Sequence, residues 1–310
     1  MPELPEVETT VRQIHAKTRG LLICDVWTDY GSPFNHGKPN IKYAPFFKKF
    51  KKAVVGRKIK SSSRRGKHVL IHLSDEVTIL VHMKMSGHFL YGKFKKTKSG
   101  WTPDEKRIEL HDPYNRFIHL VFVLSNGKHL AFSDLRKFAK VTFFHDKEWD
   151  SVTDLSVIGP EPLEKDFIFS VFKERLLLKP RSKIKPALMD QTVIAGIGNI
   201  YSDEILFEAG VHPEERVWRI PLLKLKKMYE EMQRILTVSI SVGGDSESDF
   251  RDLDGKRGEF QNHHKAYRHT GEVCSKKGCR GTIVRKVVAG RSAHFCNHHQ
   301  TLLKSQRAVS

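Results

Sequence analysis

Cys274, Cys279, Cys296 and His299 stand near the end of a 310-residue chain as Cys-x4-Cys, a sixteen-residue interval, then Cys-x2-His. No other feature limits the local fold so tightly. Each pair closes a tight loop, and a hairpin's length separates the pairs, so four side chains can surround one tetrahedral ion. Thiolate and imidazole ligands favour zinc over the hard cations. Four protein ligands leave no position for water, which makes this one zinc ion structural rather than catalytic. A segment too small to build its own core gains its fold from the metal. His298 is an alternative fourth ligand at a less favourable spacing. The clustering excludes a distributed disulfide framework, and the remaining cysteine, Cys24, reads as a lone core residue.

The hairpin between the ligand pairs is basic, with Arg280, Arg285, Lys286 and Arg291. So is the chain as a whole: 54 Lys and Arg against 35 Asp and Glu leave a formal charge of +19. Runs such as Phe47-Lys48-Lys49-Phe50-Lys51-Lys52 and Arg64-Arg65-Gly66-Lys67 spread that excess between apolar segments. A folded surface of this kind attracts a polyanion, and nucleic acid is the expected partner. Charge alone does not separate an enzyme from a packaging protein. No apolar run approaches a bilayer span, and the first residues lack a secretory signal. A soluble, intracellular monomer is expected, in the cytoplasm or nucleoid if the source is bacterial.

Leu4, Val7, Val11 and Ile14 recur at helical spacing and predict one helix over about residues 4–18. From about 22 to 145 short branched and aromatic runs predict strands, with Ser125-Asn126-Gly127-Lys128 as a hairpin turn. Segments near 32–46 and 92–115 read as long surface loops. The first module is therefore a β-sandwich or barrel with a leading helix. Phe167 to Leu178, Ile194 to Ala209 and Leu222 to Val242 predict a helical second module. The polar stretch from Gly243 to Arg268 reads as a mobile loop or linker.

The start Pro2-Glu3-Leu4-Pro5-Glu6-Val7-Glu8-Thr9 resembles the N-terminus of the formamidopyrimidine-DNA glycosylases, bacterial-type repair enzymes that remove oxidised purines. The resemblance continues in order through Arg65-Gly66-Lys67, His82-Met83-Lys84-Met85-Ser86-Gly87 and Asp134-Leu135-Arg136-Lys137-Phe138. Gly159-Pro160-Glu161-Pro162-Leu163, Ile184-Lys185-Pro186, Leu188-Met189-Asp190, Gly196-Ile197-Gly198-Asn199-Ile200-Tyr201 and Asp254-Gly255-Lys256 follow, and the cysteine hairpin closes it. It implies a multidomain α+β chain. A catalytic β-sandwich with its leading helix would span 1–146 and a helix–two-turn–helix module 147–243. A lesion-recognition loop and linker (244–268), a β-hairpin zinc finger (269–300) and a tail (301–310) would complete it.

The resemblance implies base excision repair on damaged double-stranded DNA, as glycosylase and abasic-site lyase together. With the initiator methionine removed, Pro2 presents a secondary amine. An α-amine ionises near about pH 8, so a neutral fraction is available for attack at a sugar C1′. The intermediate is an iminium with a permanent positive charge, suited to β,δ-elimination. Proline as a mere helix starter explains Pro5 well and Pro2 poorly. Glu3 is implied as the acid acting on the sugar ring oxygen, and Lys67 as a catalytic or phosphate-positioning lysine. Glu6 either supports the site or, like Glu8, complements the helix N-terminus. Asn199 is implied as a direct phosphate ligand with Arg291 as its partner, clamping phosphates on both sides of one nucleotide, and Lys185 and Tyr201 as weaker DNA-side candidates; Tyr201 reads equally as core. Met85, Arg136 and Phe138 match the residues that fill the void left by a flipped base, although Met85 and Phe138 alone would read as strand core.

The chain departs from the common pattern at His299, usually cysteine, at Glu259, where an aromatic is common, and at Leu135 and Ala139. Two rival readings remain. An endonuclease VIII-like enzyme for oxidised pyrimidines is disfavoured by Leu4 and the full-length loop from Gly243 to Phe260. A damaged-DNA-binding protein without catalysis is disfavoured by the joint presence of Pro2, Glu3 and Lys67.

Overall fold

The structure is a computed structural model that describes residues 1–303, so most of the expected tail 301–310 lies outside the described residues. Two compact units form: residues 1–156 with 239–261, and residues 157–238 with those from 262 onward.

The first unit begins with α1 (Leu4–Thr18), β1 (Ile23–Thr28) and α2 (Ala44–Val54). Strands β2 (Ile59–Arg65), β3 (His68–Leu73), β4 (Val77–His82), β5 (His88–Gly92), β6 (Phe94–Thr97), β7 (Gly100–Pro103), β8 (Ile118–Leu124), β9 (His129–Ser133) and β10 (Lys140–His145) follow, then the one-turn α3 (Thr153–Ser156). Two antiparallel four-stranded sheets result, ordered β1-β8-β9-β5 and β10-β4-β3-β2. Between them alternate residues point inward: Val77, Ile79 and Val81 from β4 meet Leu120, Phe122 and Leu124 from β8. Val7, Val11 and Ile14 of α1 join this core, each worth roughly 2 kcal/mol of burial. A second apolar layer covers the other face of β8 and β9, where Val121 and Ala131 pack with Leu90, Phe94 and Leu110. Burial on both faces explains why these strands read as continuous apolar runs.

Three expectations change here. The segment 92–115 is not a plain loop, because β6 and β7 pair within it. The basic run at 47–52 belongs to α2, whose Phe50 rests on Phe122 and Phe143; Lys48, Lys49 and Lys52 form its solvent face and mask the helical period. Cys24 is exposed rather than buried, because a bulge between Ile23 and Asp25 interrupts the alternation of β1.

The polar stretch after α7 is also held rather than free. Leu253 enters the sandwich core, its N–H donating to Gln13 Oε1 (2.8 Å) and its carbonyl accepting from Tyr91 (2.7 Å). Asp254 pairs with Lys17 and Arg107, and Arg251 with Asp112. Two glycine stretches cross within it. A Cβ on Gly258 would lie 2.2 Å from the Gly244 carbonyl oxygen and 2.5 Å from that of Gly243. Both obstacles are backbone and cannot rotate away. Gly258→Ala is therefore expected to lower unfolding stability by about 2 kcal/mol, read from the urea midpoint at constant slope.

The second unit contains α4 (Phe169–Leu177), α5 (Ile184–Met189), α6 (Asn199–Ala209) and most of α7 (Leu222–Ser241), then the hairpin β11 (Ile283–Val288) and β12 (Arg291–Cys296). Two turns join α5 to α6, and Gln191 stitches them: its amide donates to the Met189 and Ile197 carbonyls while its oxygen accepts from Gly196 N–H. Gly210, left-handed at φ 62°, ends α6. Phe207, Ala266, Cys274, Ile283 and Cys296 form the small core beneath the hairpin. Among the described residues no helix is long and apolar enough to cross a membrane.

Candidate functional site

Pro5 lies in the first turn of α1, and the Glu6 carboxylate turns back to accept the Glu3 N–H at 2.7 Å. Its other oxygen accepts Asp245 N–H at 2.8 Å. Glu6 thus fixes the residue beside Pro2 and a second chain segment at once, a use the sequence left open. Glu8 bridges Arg12 (2.8 Å) and Arg64 (3.0 Å). Burial raises its carboxyl, but the two guanidinium groups outweigh that and hold it below the ordinary range. Glu8 thus ties α1 to Arg64 of β2, where the sequence reading placed it only as a complement to the helix N-terminus.

The Glu8–Arg64 pair and the Ser62 hydroxyl donating to the Val11 carbonyl (2.6 Å) set α1 against β2 in opposite directions. Continuing that register carries the start of α1 toward the two-residue turn Gly66–Lys67. The turn needs a left-handed residue and has Gly66 at φ 54°. Lys67 is buried, as are Pro2 and Glu3.

One row of cross-strand partners, Arg65, His68, His82 and Lys140, marks an end of the second sheet. The β2–β3 turn with Lys67, the β4–β5 turn with Met85 and the turn before β10 with Arg136 and Phe138 all leave that end. His68 and His82 meet edge to face at 4.7 Å. Burial pushes them down to about 4 and about 2, so both are neutral at physiological pH and the site's positive charge rests on its lysines and arginines.

Asp134 joins the two turns that carry the void-filling candidates. Its Oδ1 accepts from the Ser86 hydroxyl (2.6 Å), and Ser86 Oγ in turn accepts Arg136 N–H (3.0 Å). Its Oδ2 accepts from Tyr30 (2.8 Å) and Ala139 N–H (2.9 Å). Met85 is half-buried, Arg136 exposed, and Phe138 58% exposed on a turn, not in a strand core. An aromatic held out to solvent by a buried carboxylate is placed to enter something. Asp134 and Ser86 lie inside the sequence motifs, yet nothing in residue type alone assigns them this task.

In the second unit, Asn199 opens α6 and its Nδ2 donates to Ser292 Oγ at 3.2 Å, next to exposed Arg291 at the start of β12. Asn199 Oδ1 is buried without a hydrogen-bond partner among the described residues. Lys185 and Tyr201, the weaker DNA-side candidates, are both enclosed, and for Tyr201 this is the core position the sequence left open. Both are 0% exposed; the Lys185 ammonium is held by Asp203 (2.6 Å), Ser202 (3.1 Å) and the Asn199 carbonyl (3.3 Å). Tyr201 is core.

The ligand atoms of Cys274, Cys279, Cys296 and His299 all lie within 4.8 Å of one another. His299 Nδ1 is 3.4 Å from Cys274 Sγ and 3.8 Å from Cys279 Sγ, and Cys279 and Cys296 Sγ are 3.6 Å apart. Such spacings match the roughly 3.5–3.8 Å edges of a tetrahedron with bonds of about 2.0–2.3 Å. His299 Nε2 donates to the Phe207 carbonyl at 3.1 Å, which leaves the Nδ1 lone pair for a metal. His298 is exposed; its Nδ1 lies 3.6 Å from Cys279 Sγ, and its backbone N–H donates to Cys296 Sγ at 3.4 Å. The cluster fits a metal ion with His299 as fourth ligand.

Comparison with known proteins identifies the family to which the chain is similar. The family model "Formamidopyrimidine-DNA glycosylase N-terminal domain" matches residues 1–141, and "Formamidopyrimidine-DNA glycosylase H2TH domain" matches residues 158–251. The formamidopyrimidine-DNA glycosylase of Ruegeria sp. (strain TM1040) is 34% identical over 304 residues, covering 97% of this chain and 100% of that protein. That of Bacillus subtilis (strain 168) is 35% identical, covering 97% and 99%. Among solved structures, the Lactococcus lactis Fpg complex with abasic-site DNA aligns with TM-score 0.79 at 31% identity over 95% of this chain and 97% of that one. MutM in complex with carbocyclic 8-oxo-G DNA aligns with TM-score 0.79 at 31% identity, over 96% and 99%.

Proposed function

Because this chain belongs to the formamidopyrimidine-DNA glycosylase family, we propose that it is a base excision repair enzyme. It removes 8-oxoguanine and formamidopyrimidines from duplex DNA and then cuts the strand at the abasic site. The observation that carries this reading is the shared sheet end from which Lys67, Met85, Arg136 and Phe138 emerge, with α1 leading Pro2 and Glu3 toward it.

With Met1 removed, the Pro2 nitrogen has a lone pair and no acyl substituent. It attacks C1′; the bond from C1′ to the base breaks, and its electron pair leaves with the base, which takes up a proton. Glu3 protonates O4′ as the sugar ring opens, giving an iminium between Pro2 and C1′. That cation acidifies C2′. Loss of a C2′ proton breaks the C3′–O bond, a second elimination breaks the C5′–O bond, and water releases the sugar remnant from Pro2. Lys67 holds a phosphate or assists a proton transfer at this centre, and Glu6 positions Glu3.

Extruding the base leaves a gap whose unstacking costs a few kcal/mol. Met85, Arg136 and Phe138 fill it, kept together by Asp134. Asn199 and Arg291 grip the backbone, and Cys274, Cys279, Cys296 and His299 hold one zinc ion, which supplies no reaction chemistry and fixes the hairpin carrying Arg291.

Single-turnover excision from duplexes with 8-oxoguanine opposite cytosine, compared with an oxidised pyrimidine opposite its partner, tests the substrate class. The purine lesion is expected to be excised at least about tenfold faster. The reverse order would make the enzyme endonuclease VIII-like, and no excision from either would leave a damage-binding protein.

A further inference from the structure

Asp203 lies in the second turn of α6 with its side chain 1% exposed, and its two oxygens serve different elements. Oδ1 accepts from Lys185 Nζ of α5 at 2.6 Å. Oδ2 accepts two bonds from His294 of β12, from the backbone N–H and from Nδ1, both at 3.0 Å. A carboxylate only accepts, so His294 carries its proton on Nδ1. The same three residues reach toward the clamp. Lys185 donates to the Asn199 carbonyl at 3.3 Å, and His294 lies on the strand that begins with Arg291 and Ser292, whose hydroxyl accepts from Asn199 Nδ2 at 3.2 Å.

The network is buried too deeply to touch DNA, and none of its members has a part in the chemistry above. A buried ion pair contributes little net stability compared with apolar residues of similar volume, so its presence asks for another explanation. Without it, α6 and β12 would be free to slide, and Asn199 and Arg291 would no longer clamp the backbone together. Asn199 Oδ1 is buried at this corner with no hydrogen-bond partner among the described residues, which leaves it open to a ligand.

We propose that Asp203 is the positioning residue of the phosphate clamp, setting Asn199 through Lys185 and Arg291 through His294. This rests on the reading of Asn199 and Arg291 as phosphate ligands. Lys185→Met/Asp203→Leu removes both charges without stranding either. That variant is expected to fold, to keep one metal ion per chain, and to bind a duplex with a tetrahydrofuran abasic analogue about tenfold more weakly than wild type. In an Asn199→Ala/Arg291→Ala background the same pair of substitutions should change affinity less than about twofold, because nothing remains to be positioned. A general structural defect would instead weaken both backgrounds equally, and that result overturns the proposal. So does a folded, metal-loaded variant of wild-type affinity. If the charge-free pair fails to fold, His294→Phe, which leaves Lys185 and Asp203 paired, is read by the same two comparisons. Unchanged affinity in Asn199→Ala/Arg291→Ala alone removes the clamp reading itself; a clamp that works without Asp203 removes only this proposal.

Discussion

Protein that keeps Met1, or carries a tag ahead of Pro2, will bind an abasic-analogue duplex and yet give no borohydride-trapped adduct. The reason is electronic rather than steric. Acylation turns the Pro2 nitrogen into a tertiary amide whose lone pair is delocalised into the carbonyl, so it neither attacks C1′ nor forms an iminium. The lysines and arginines at the sheet end are untouched, and binding should keep its steep salt dependence. Processed protein with Pro2 at its terminus is expected to trap on 8-oxoguanine duplex, and excision by Pro2→Gly should fall by roughly a thousandfold. Intact mass establishes which terminus each preparation carries. An adduct of equal yield from the tagged protein or from Pro2→Gly would remove the secondary-amine mechanism and direct attention to Lys67.

The residues that were legible from sequence are those whose role depends on local spacing. Leu4, Val7, Val11 and Ile14 mark α1 because one face of a helix is enough to bury them. The ligand pairs 274/279 and 296/299 mark the metal site because each closes its own loop. Spacing also favoured His299 over His298, but what orients the His299 ring is the Phe207 carbonyl, 92 residues away in the chain. Lys185 and Tyr201 sit in motifs that point to DNA, but their burial is decided by the packing of α5, α6 and β12. Phe138 shows the converse, since a strand-like sequence around it gives no sign that Asp134 folds the chain into a turn and leaves the ring exposed. Asp134, Glu6 and Asp203 share this property. Each is a buried carboxylate joining segments far apart in sequence, and no local pattern announces such a residue.

Removing the metal should abolish specific DNA binding while leaving the first unit folded. Two of the five buried residues in the core beneath the hairpin, Cys274 and Cys296, belong to the cluster that would hold the ion, so losing it would also loosen the core. A two-stranded hairpin alone is marginal in water, and structural zinc contributes on the order of 10 kcal/mol to comparable small modules. Other anchors oppose collapse: the Glu204 carboxylate accepts N–H bonds from residues 265, 266 and 267, and Gln300 joins Cys296 N–H to the Val211 carbonyl. Chelation should therefore raise amide exchange across 274–299 far more than in residues 262–269. Affinity for the abasic-analogue duplex should fall at least about a hundredfold, because Arg291 loses its fixed place. Among variants, His299→Ala should lose the ion, His298→Ala should keep one per chain, and His299→Cys should keep it as a four-thiolate site. Wild-type DNA affinity in metal-free protein, or retention of the ion by His299→Ala, would show that this hairpin is built by its backbone anchors rather than by its metal.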